Sequence, residues 1–292
     1  MDDQRCVAVL GAGSTMGFGM ARNIARAGFD VRGWNRTLEK ARPLEEQGAD
    51  VLDTPGEAAD GADVILTMLS DADAVVGTFE EAAKRARSDA IWLQMSTIGE
   101  AGTDRCAEAA QKHGLTLIDA PVLGTKQPAE EGKLVVLASG PENVRELVQP
   151  IFDAVGEKTI WVGEAGAGTR LKMVANSWVL TVAEGVAETF ALAEGLGLDP
   201  NLFLDAIEGG GLDLPYLRMK GKAIMERSFE PAFRLALAAK DARLIEDSAE
   251  RHELDLPLFS TIRRRLAEGA KEHGDKDFSA TYLTSSPRRD GN

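Results

Sequence analysis

What most constrains the fold of this chain is a regular alternation over its first 163 residues. Short, nearly all-apolar runs occur at 6–10, 30–34, 50–52, 64–69, 90–95, 116–119, 134–138 and 158–162. Between most of them lie Ala-, Glu- and Arg-rich stretches with helical spacing, at 16–27, 38–47, 72–87, 103–113 and 142–152. Strands that alternate with helices form a parallel sheet. Runs without a polar face, such as Val64-Ile65-Leu66, belong to strands covered on both sides. The expected first half is therefore an α/β, doubly wound parallel sheet with helices on both faces.

The pattern changes after residue 163. Gly163, Gly166 and Gly168 form a flexible passage, and residues 169–194 then run without proline and are apolar almost throughout. At about 1.5 Å per residue this is a helix of about 40 Å, too long for a crossover. Every later segment has helical spacing (201–207, 214–227, 235–252, 256–273), with Pro200, Pro215, Pro231 and Pro257 near the starts, where proline is tolerated. The expected organisation is an α/β domain over residues 1–163 and an all-α C-terminal domain over 164–292, the latter opening with a long interdomain helix at about 169–194. The polar tail 285–292 is expected to fray.

Composition narrows the function classes. Lys and Arg number 33 against 47 Asp and Glu, a net charge of −14. That field repels phosphate backbones and anionic membrane surfaces, so neither nucleic acid nor membrane is an expected partner. Cys6 and Cys106 lie 100 residues apart, and His113, His252 and His273 are scattered without ligand spacing. Neither a disulfide framework nor a metal site is expected. The acidic start, Met1-Asp2-Asp3-Gln4, leads straight into a strand-like run and does not read as a signal peptide. No apolar run reaches the ~18–20 residues of a membrane span. The chain reads as a reduced, soluble, cytoplasmic protein.

The first strand leads into a glycine-rich turn, V-A-V-L-G-A-G-S-T-M-G-F-G-M-A-R-N from Val7 to Asn23. Gly11, Gly13 and Gly17, with Ser14, Thr15 and Met16 between them, let the backbone approach a pyrophosphate at a helix N-terminus, whose free N–H groups and dipole favour an anion. The strict G-x-G-x-x-G spacing would need glycine where Met16 stands. The second strand ends in Trp34-Asn35-Arg36-Thr37. An acidic residue at this place would accept ribose hydroxyls. Asn35 followed by Arg36 instead suits a 2′-phosphate, which a guanidinium clamps bidentately. The expected cofactor is NADP(H), with NAD(H) second. Read otherwise, the glycines form a plain strand–helix junction and Arg36 is a solvated residue at a helix start.

The long helix carries the sharpest chemical signal. From Leu171 to Ala183 it reads L-K-M-V-A-N-S-W-V-L-T-V-A, with Lys172 its only charge and Asn176 one turn further on the same face. A lysine on so apolar a helix either snorkels to water or sits in a cleft. Its place at the expected domain junction favours the cleft, where desolvation lowers an amine's pKa and suits it to proton transfer.

With these residues the chain resembles the β-hydroxyacid dehydrogenases, the group of 3-hydroxyisobutyrate dehydrogenase and the glyoxylate/succinic semialdehyde reductases, over residues 5–283. Besides the glycine turn and W-N-R-T, the resemblance rests on Met95-Ser96-Thr97-Ile98, on D-A-P-V-L-G-T-K-Q-P-A-E-E-G-K-L from Asp119 to Leu134, and on G-A-G-T-R-L-K-M-V-A-N from Gly166 to Asn176. It continues through F-R-L-A-L-A-A-K-D from Phe233 to Asp241 and D-F-S-A from Asp277 to Ala280. The W-N-R-T and K-Q-P-A-E-E-G pieces look most like the glyoxylate/succinic semialdehyde reductase branch.

The resemblance implies a Rossmann-type first domain and hydride transfer between NADPH and the carbonyl of a small aldehyde or keto acid. Lys172 would be the general acid/base and Asn176 would hold the substrate near it. Ser96, Thr97, Leu123, Gly124 and Thr125 would lie around nicotinamide and substrate, with Phe233 as an apolar wall. Lys240 and Asp241 would close over the cofactor from the helical domain. Leu69 and Ser70 would pass the ribose and diphosphate. Members commonly form homodimers or homotetramers.

Three departures from the family pattern stand out. The glycine turn holds one extra residue before Met16, so it must bulge. Leu123 stands where a serine is usual, which removes a hydroxyl from the substrate's surroundings. Gly99-Glu100 replaces the usual proline. Two other readings share the architecture: an imine reductase, and a non-catalytic NADP-binding scaffold or sensor.

Overall fold

The computed structural model describes residues 5–285, so most of the tail, and the first four residues, lie outside the described residues. The first part of the chain runs β1 (Cys6–Leu10), α1 (Gly17–Arg26), β2 (Asp30–Trp34), β3 (Asp50–Val51), α2 (Pro55–Ala59), β4 (Val64–Thr67), α3 (Ala72–Ala82), β5 (Ile91–Gln94), α4 (Gly99–His113), β6 (Thr116–Asp119), β7 (Val122–Leu123), α5 (Lys126–Glu131), β8 (Leu134–Ser139), α6 (Arg145–Val155) and β9 (Gly156–Gly163). Then come α7 (Ala167–Gly195), α8 (Pro200–Ile207), α9 (Pro215–Met225), α10 (Leu235–Arg251), α11 (Pro257–His273) and a 3-10 segment, Phe278–Thr284.

The strands form one sheet in the order β3-β2-β1-β4-β5-β6-β8-β7, with β9 on β8. The doubly wound order holds from β3 to β6, where every pairing is parallel. Beyond that point the sheet is mixed: β8 runs antiparallel to both β6 and β7, while β9 pairs parallel with β8. The physical reason is the connection. Only residues 124–133 separate β7 from β8, too few for the crossover a parallel pairing needs. The antiparallel return places Ser139, the end of β8, opposite Asp119, the end of β6.

Side-chain alternation along β1 explains the two layers. Val7 and Val9 pack with Met20, Ile24 and Phe152 on one face. Cys6, Ala8 and Leu10 pack with Ile65, Phe79 and Trp92 on the other. Both faces are dry, which is why the strands read as continuous apolar runs. The helix expected at 38–47 is instead two 3-10 turns, Leu38–Lys40 and Arg42–Gln47. Pro43 lacks an N–H and disfavours helical geometry at the residue before it.

The chain resolves into two compact units, Met1–Lys172 and Met173–Asn292. In the second, Met173, Leu180 and Ala183 pack on Leu235, Ala238, Ile262 and Leu266. Further along α7, Val186, Ala187 and Phe190 pack on Leu204, Leu217, Ile224 and Tyr282. In the same unit Lys220 Nζ meets Asp277 Oδ1 at 2.7 Å, both side chains buried, with the ammonium 4.4 Å from the Phe278 ring centroid.

Candidate active site

The carboxyl ends of β1, β4 and β5 converge where the strand order reverses, the place where open α/β sheets bind ligands. Gly11 follows β1 with φ +100°, and a Cβ there would lie 2.3 Å from the Met68 carbonyl, so only glycine fits. The Gly11 and Ala12 amides donate to the Trp34 carbonyl at 2.8 and 3.0 Å, which folds the turn across the end of β2. Ser14 is the hub of the lengthened loop. Its amide donates to Gly11 O at 2.9 Å, its hydroxyl donates to Met68 O at 3.2 Å, and its Oγ accepts the Gly17 amide at 3.0 Å. Thr15 is exposed and Met16 half-buried before α1 begins.

Asn35 is half-buried, and its Nδ2 donates to Thr37 O at 2.8 Å. A Cβ on Gly13 would sit 2.8 Å from both Asn35 Cγ and Lys40 Cβ. Gly13, Asn35 and Lys40 are thus packed together, with Arg36 and Thr37 exposed beside them. Lys40 was missed by sequence reasoning. Its only signal is that it lies four residues after Arg36.

Beyond β4, Leu69 is half-buried and Ser70 exposed. The Ser70 hydroxyl donates to Asp71 Oδ2 at 2.6 Å. Ser96 is buried, and its oxygen accepts the Leu69 amide at 2.9 Å while its hydroxyl donates to Thr67 O at 3.3 Å. Ser96 therefore joins the loops after β4 and β5. Thr97 beside it is half-buried. Leu123 and Thr125 are half-buried around exposed Gly124, which has φ +135°. Lys172 is only 8% exposed, and its Nζ donates to the Val122 carbonyl at 2.7 Å.

In the helical unit the Asn176 Nδ2 donates to Asp241 Oδ2 at 2.8 Å, and Lys240 Nζ pairs with Asp241 Oδ1 at 2.9 Å. The buried Asp241 carboxylate thus joins Asn176 on α7 to Lys240 on α10. The Phe233 ring packs edge-on against Phe278 at 5.2 Å, and its amide donates to Asp277 Oδ2 at 3.2 Å. Among the described residues no group of three His, Cys, Asp or Glu could hold a metal ion, and no helix is long and apolar enough to cross a membrane.

Two family models match the chain. The NAD binding domain of 6-phosphogluconate dehydrogenase matches residues 6–163. The NAD-binding domain of NADP-dependent 3-hydroxyisobutyrate dehydrogenase matches residues 166–284. Glyoxylate/succinic semialdehyde reductase 1 of Arabidopsis thaliana is 31% identical over 278 residues, covering 94% of this chain and 96% of that protein. The structure of Mycobacterium tuberculosis 3-hydroxyisobutyrate dehydrogenase with L-serine superposes with a TM-score of 0.87 at 30% identity, over 96% of this chain and 99% of that one. An imine reductase from Myxococcus stipitatus in complex with NADP+ shares the fold, with a TM-score of 0.62 at 20% identity over 96% of this chain and 99% of the other.

Proposed function

Because the chain belongs to the β-hydroxyacid dehydrogenase family, we propose that it reduces the carbonyl of a small aldehyde or keto acid with NADPH, and that Lys172 is the acid. The observation that carries this reading is the Lys172 ammonium, buried and fixed by the Val122 carbonyl at 2.7 Å. A buried, fixed cation suits the charge that develops on a carbonyl oxygen during reduction.

The residues present fit a dinucleotide. The turn at Gly11, Gly13 and Gly17 leads into the N-terminus of α1, and at Gly11 a side chain would clash, which fits a backbone-lined cradle for a pyrophosphate. Ser14, Thr15, Met16, Leu69, Ser70 and Thr97 are its assigned neighbours. Asn35, Arg36, Thr37 and the additional Lys40 are assigned to the adenosine ribose and its 2′-phosphate, which favours NADPH over NADH. When bound, the reduced nicotinamide supplies the hydride.

Lys172 gives its proton to the substrate oxygen, and in the reverse direction takes the hydroxyl proton back. Asn176 holds the substrate, and Asp241 orients Asn176 while pairing with Lys240. Leu123 offers no hydroxyl, so backbone amides around Gly124 and Thr125 are assigned to a substrate carboxylate. Phe233 is assigned to an apolar wall. The helical unit exposes an apolar stripe on α7, with Val174 65% and Trp178 64% exposed, and such a patch fits a homodimer or homotetramer. The free thiols of Cys6 and Cys106 fit a reducing compartment such as the cytoplasm.

A panel of glyoxylate, succinic semialdehyde, 3-hydroxyisobutyrate, 3-hydroxypropionate and cyclic imines, each run with both cofactors, tests this reading. Turnover of a short carbonyl substrate or hydroxyacid with a preference for NADP(H), and selective loss of that preference in Arg36→Gln, is the expected result. Turnover of cyclic imines alone, or cofactor binding without any turnover, would replace it with one of the rival readings.

A further inference from the structure

The helix that carries Lys172 has an unusual N-terminus. Residues 163–166 are Gly-Glu-Ala-Gly, so no Ser, Thr, Asp or Asn precedes the helix to accept its first amides. The acceptors come from the sheet instead. Asp119 Oδ2, at the end of β6, accepts the Thr169 amide at 2.8 Å, and Oδ1 accepts the Thr169 hydroxyl at 2.7 Å. Ser139, opposite Asp119 in the register, accepts the Gly168 amide at 2.9 Å. Thr103 Oγ1 lies 3.0 Å from Thr169 Oγ1 and backs it from α4. Asp119, Ser139, Thr103 and Thr169 are all buried.

A simple cap needs one oxygen. Asp119 uses two, gripping both the main chain and the side chain of Thr169, which fixes the turn about its axis as well as along it. Thr169 and Lys172 are three residues apart and share a helix face. The Lys172 amine is held by Val122, three residues after Asp119. One stretch, 119–122, therefore grips α7 at two points a turn apart. Burial pushes the Asp119 carboxyl up, and the Thr169, Ser139 and Gly166 donors oppose that rise. A fully buried carboxylate is a costly way to cap a helix, which is the reason to seek a role for it beyond stability.

We propose that Asp119 is a positioning residue: by pinning the first turn of α7 it fixes where Lys172 holds its proton. This rests on the reading of Lys172 as the acid. The test compares Asp119→Asn, Thr169→Val and Thr169→Ser with Val148→Ala, a truncation in the buried face of α6 that serves as a stability control. The readouts are kcat on the best substrate of the panel, KM, NADPH affinity, melting temperature and hydrogen exchange of the amides in 167–172.

Asp119→Asn and Thr169→Val are expected to lose kcat by about tenfold or more, since small misplacements are costly to catalysis. Their KM and NADPH affinity stay near wild type, and exchange in 167–172 quickens. Thr169→Ser, which keeps the hydroxyl, is expected to retain most of kcat, and Val148→Ala to lose stability but not kcat. If Asp119→Asn does not fold, Thr169→Val carries the test. Faster exchange with wild-type kcat would overturn the proposal, as would a loss of kcat that merely tracks melting temperature and extends to Val148→Ala. If Lys172→Ala kept full turnover, the functional reading would fall first. The exchange measurement still decides whether Asp119 anchors the turn.

Discussion

Replacing Gly168 by alanine pushes on the same helix from the opposite direction. A Cβ at this position would lie 2.2 Å from the Leu137 carbonyl oxygen, 2.9 Å from the Asp119 carbonyl oxygen and 3.1 Å from Ser139 Oγ. Two of these neighbours are backbone atoms of the sheet and cannot swing away. Reaching ordinary contact with Leu137 requires the first turn of α7 to retreat by roughly 1 Å. Two energies then compete. Overpacking costs about 1–3 kcal/mol, while alanine in place of glycine in a helix returns up to about 1 kcal/mol. The net loss of stability is about 0–3 kcal/mol, or a melting point lower by at most several degrees. Lys172 moves with the turn, and a displacement of about 1 Å at a catalytic group costs on the order of 10²-fold in rate. The expected signature is a kcat about 100-fold lower with a small thermal shift and nearly unchanged NADPH binding. Initial rates, fluorescence titration of NADPH and differential scanning fluorimetry read these separately. A Gly168→Ala enzyme with kcat within threefold of wild type would refute the reasoning from close approach to misplaced lysine.

Two further predictions concern stability and reactivity. Burial pushes the Asp277 carboxyl up, but Lys220 at 2.7 Å and the Ser279 donors outweigh it and hold the group below its ordinary range. Its stabilisation is therefore present above the unfolded pKa near 3.8 and is lost as pH falls through the lower folded value. Lys220→Met is expected to cost about 3–5 kcal/mol by leaving a buried carboxylate unpaired, and acidification below pH ~4 to lower the wild-type melting point; a variant melting within two degrees of wild type at pH 7 would contradict this. Burial first, then Asp30, pushes the Cys6 thiol to about 12, and burial with Asp119 does the same for Cys106. At pH 8 only about one thiol in 10⁴ is ionised at such values, so a chromogenic disulfide reagent is expected to react with neither in the native protein and with both after denaturation. Rapid reaction of the folded protein would show that these environments are wrong.

The parts of the fold legible in the sequence were those with a local period. Strands β1, β4 and β5 are dry on both faces, so each was a continuous apolar run between helical segments. The short β7, confined between Pro121 and Gly124, was not picked out as a strand, and with it went the antiparallel return of β8. Pro43 was in plain view as the residue that breaks 38–47. So was Thr54-Pro55-Gly56-Glu57, whose Thr54 and Glu57 form a reciprocal cap on α2.

At the site, Lys172 was legible as the single charge in an apolar stretch, and the glycine turn by its composition. The polar contacts that organise them were not. Thr169 is 50 residues from Asp119 and Ser96 is 27 from Leu69, and such pairings leave no trace in spacing. Lys40 was hidden for a related reason: its place beside Asn35 and Gly13 follows from how the 3-10 turn folds back, not from helical periodicity.

The central claim is that the Lys172 ammonium supplies the proton in carbonyl reduction. Lys172→Ala tests it most directly, with turnover measured on the best carbonyl substrate beside the Kd for NADPH. General acid catalysis contributes about 10²–10⁴-fold, so the account predicts kcat lower by at least about 10²-fold and an NADPH Kd within a few-fold of wild type. Turnover at the wild-type rate in this variant would contradict it.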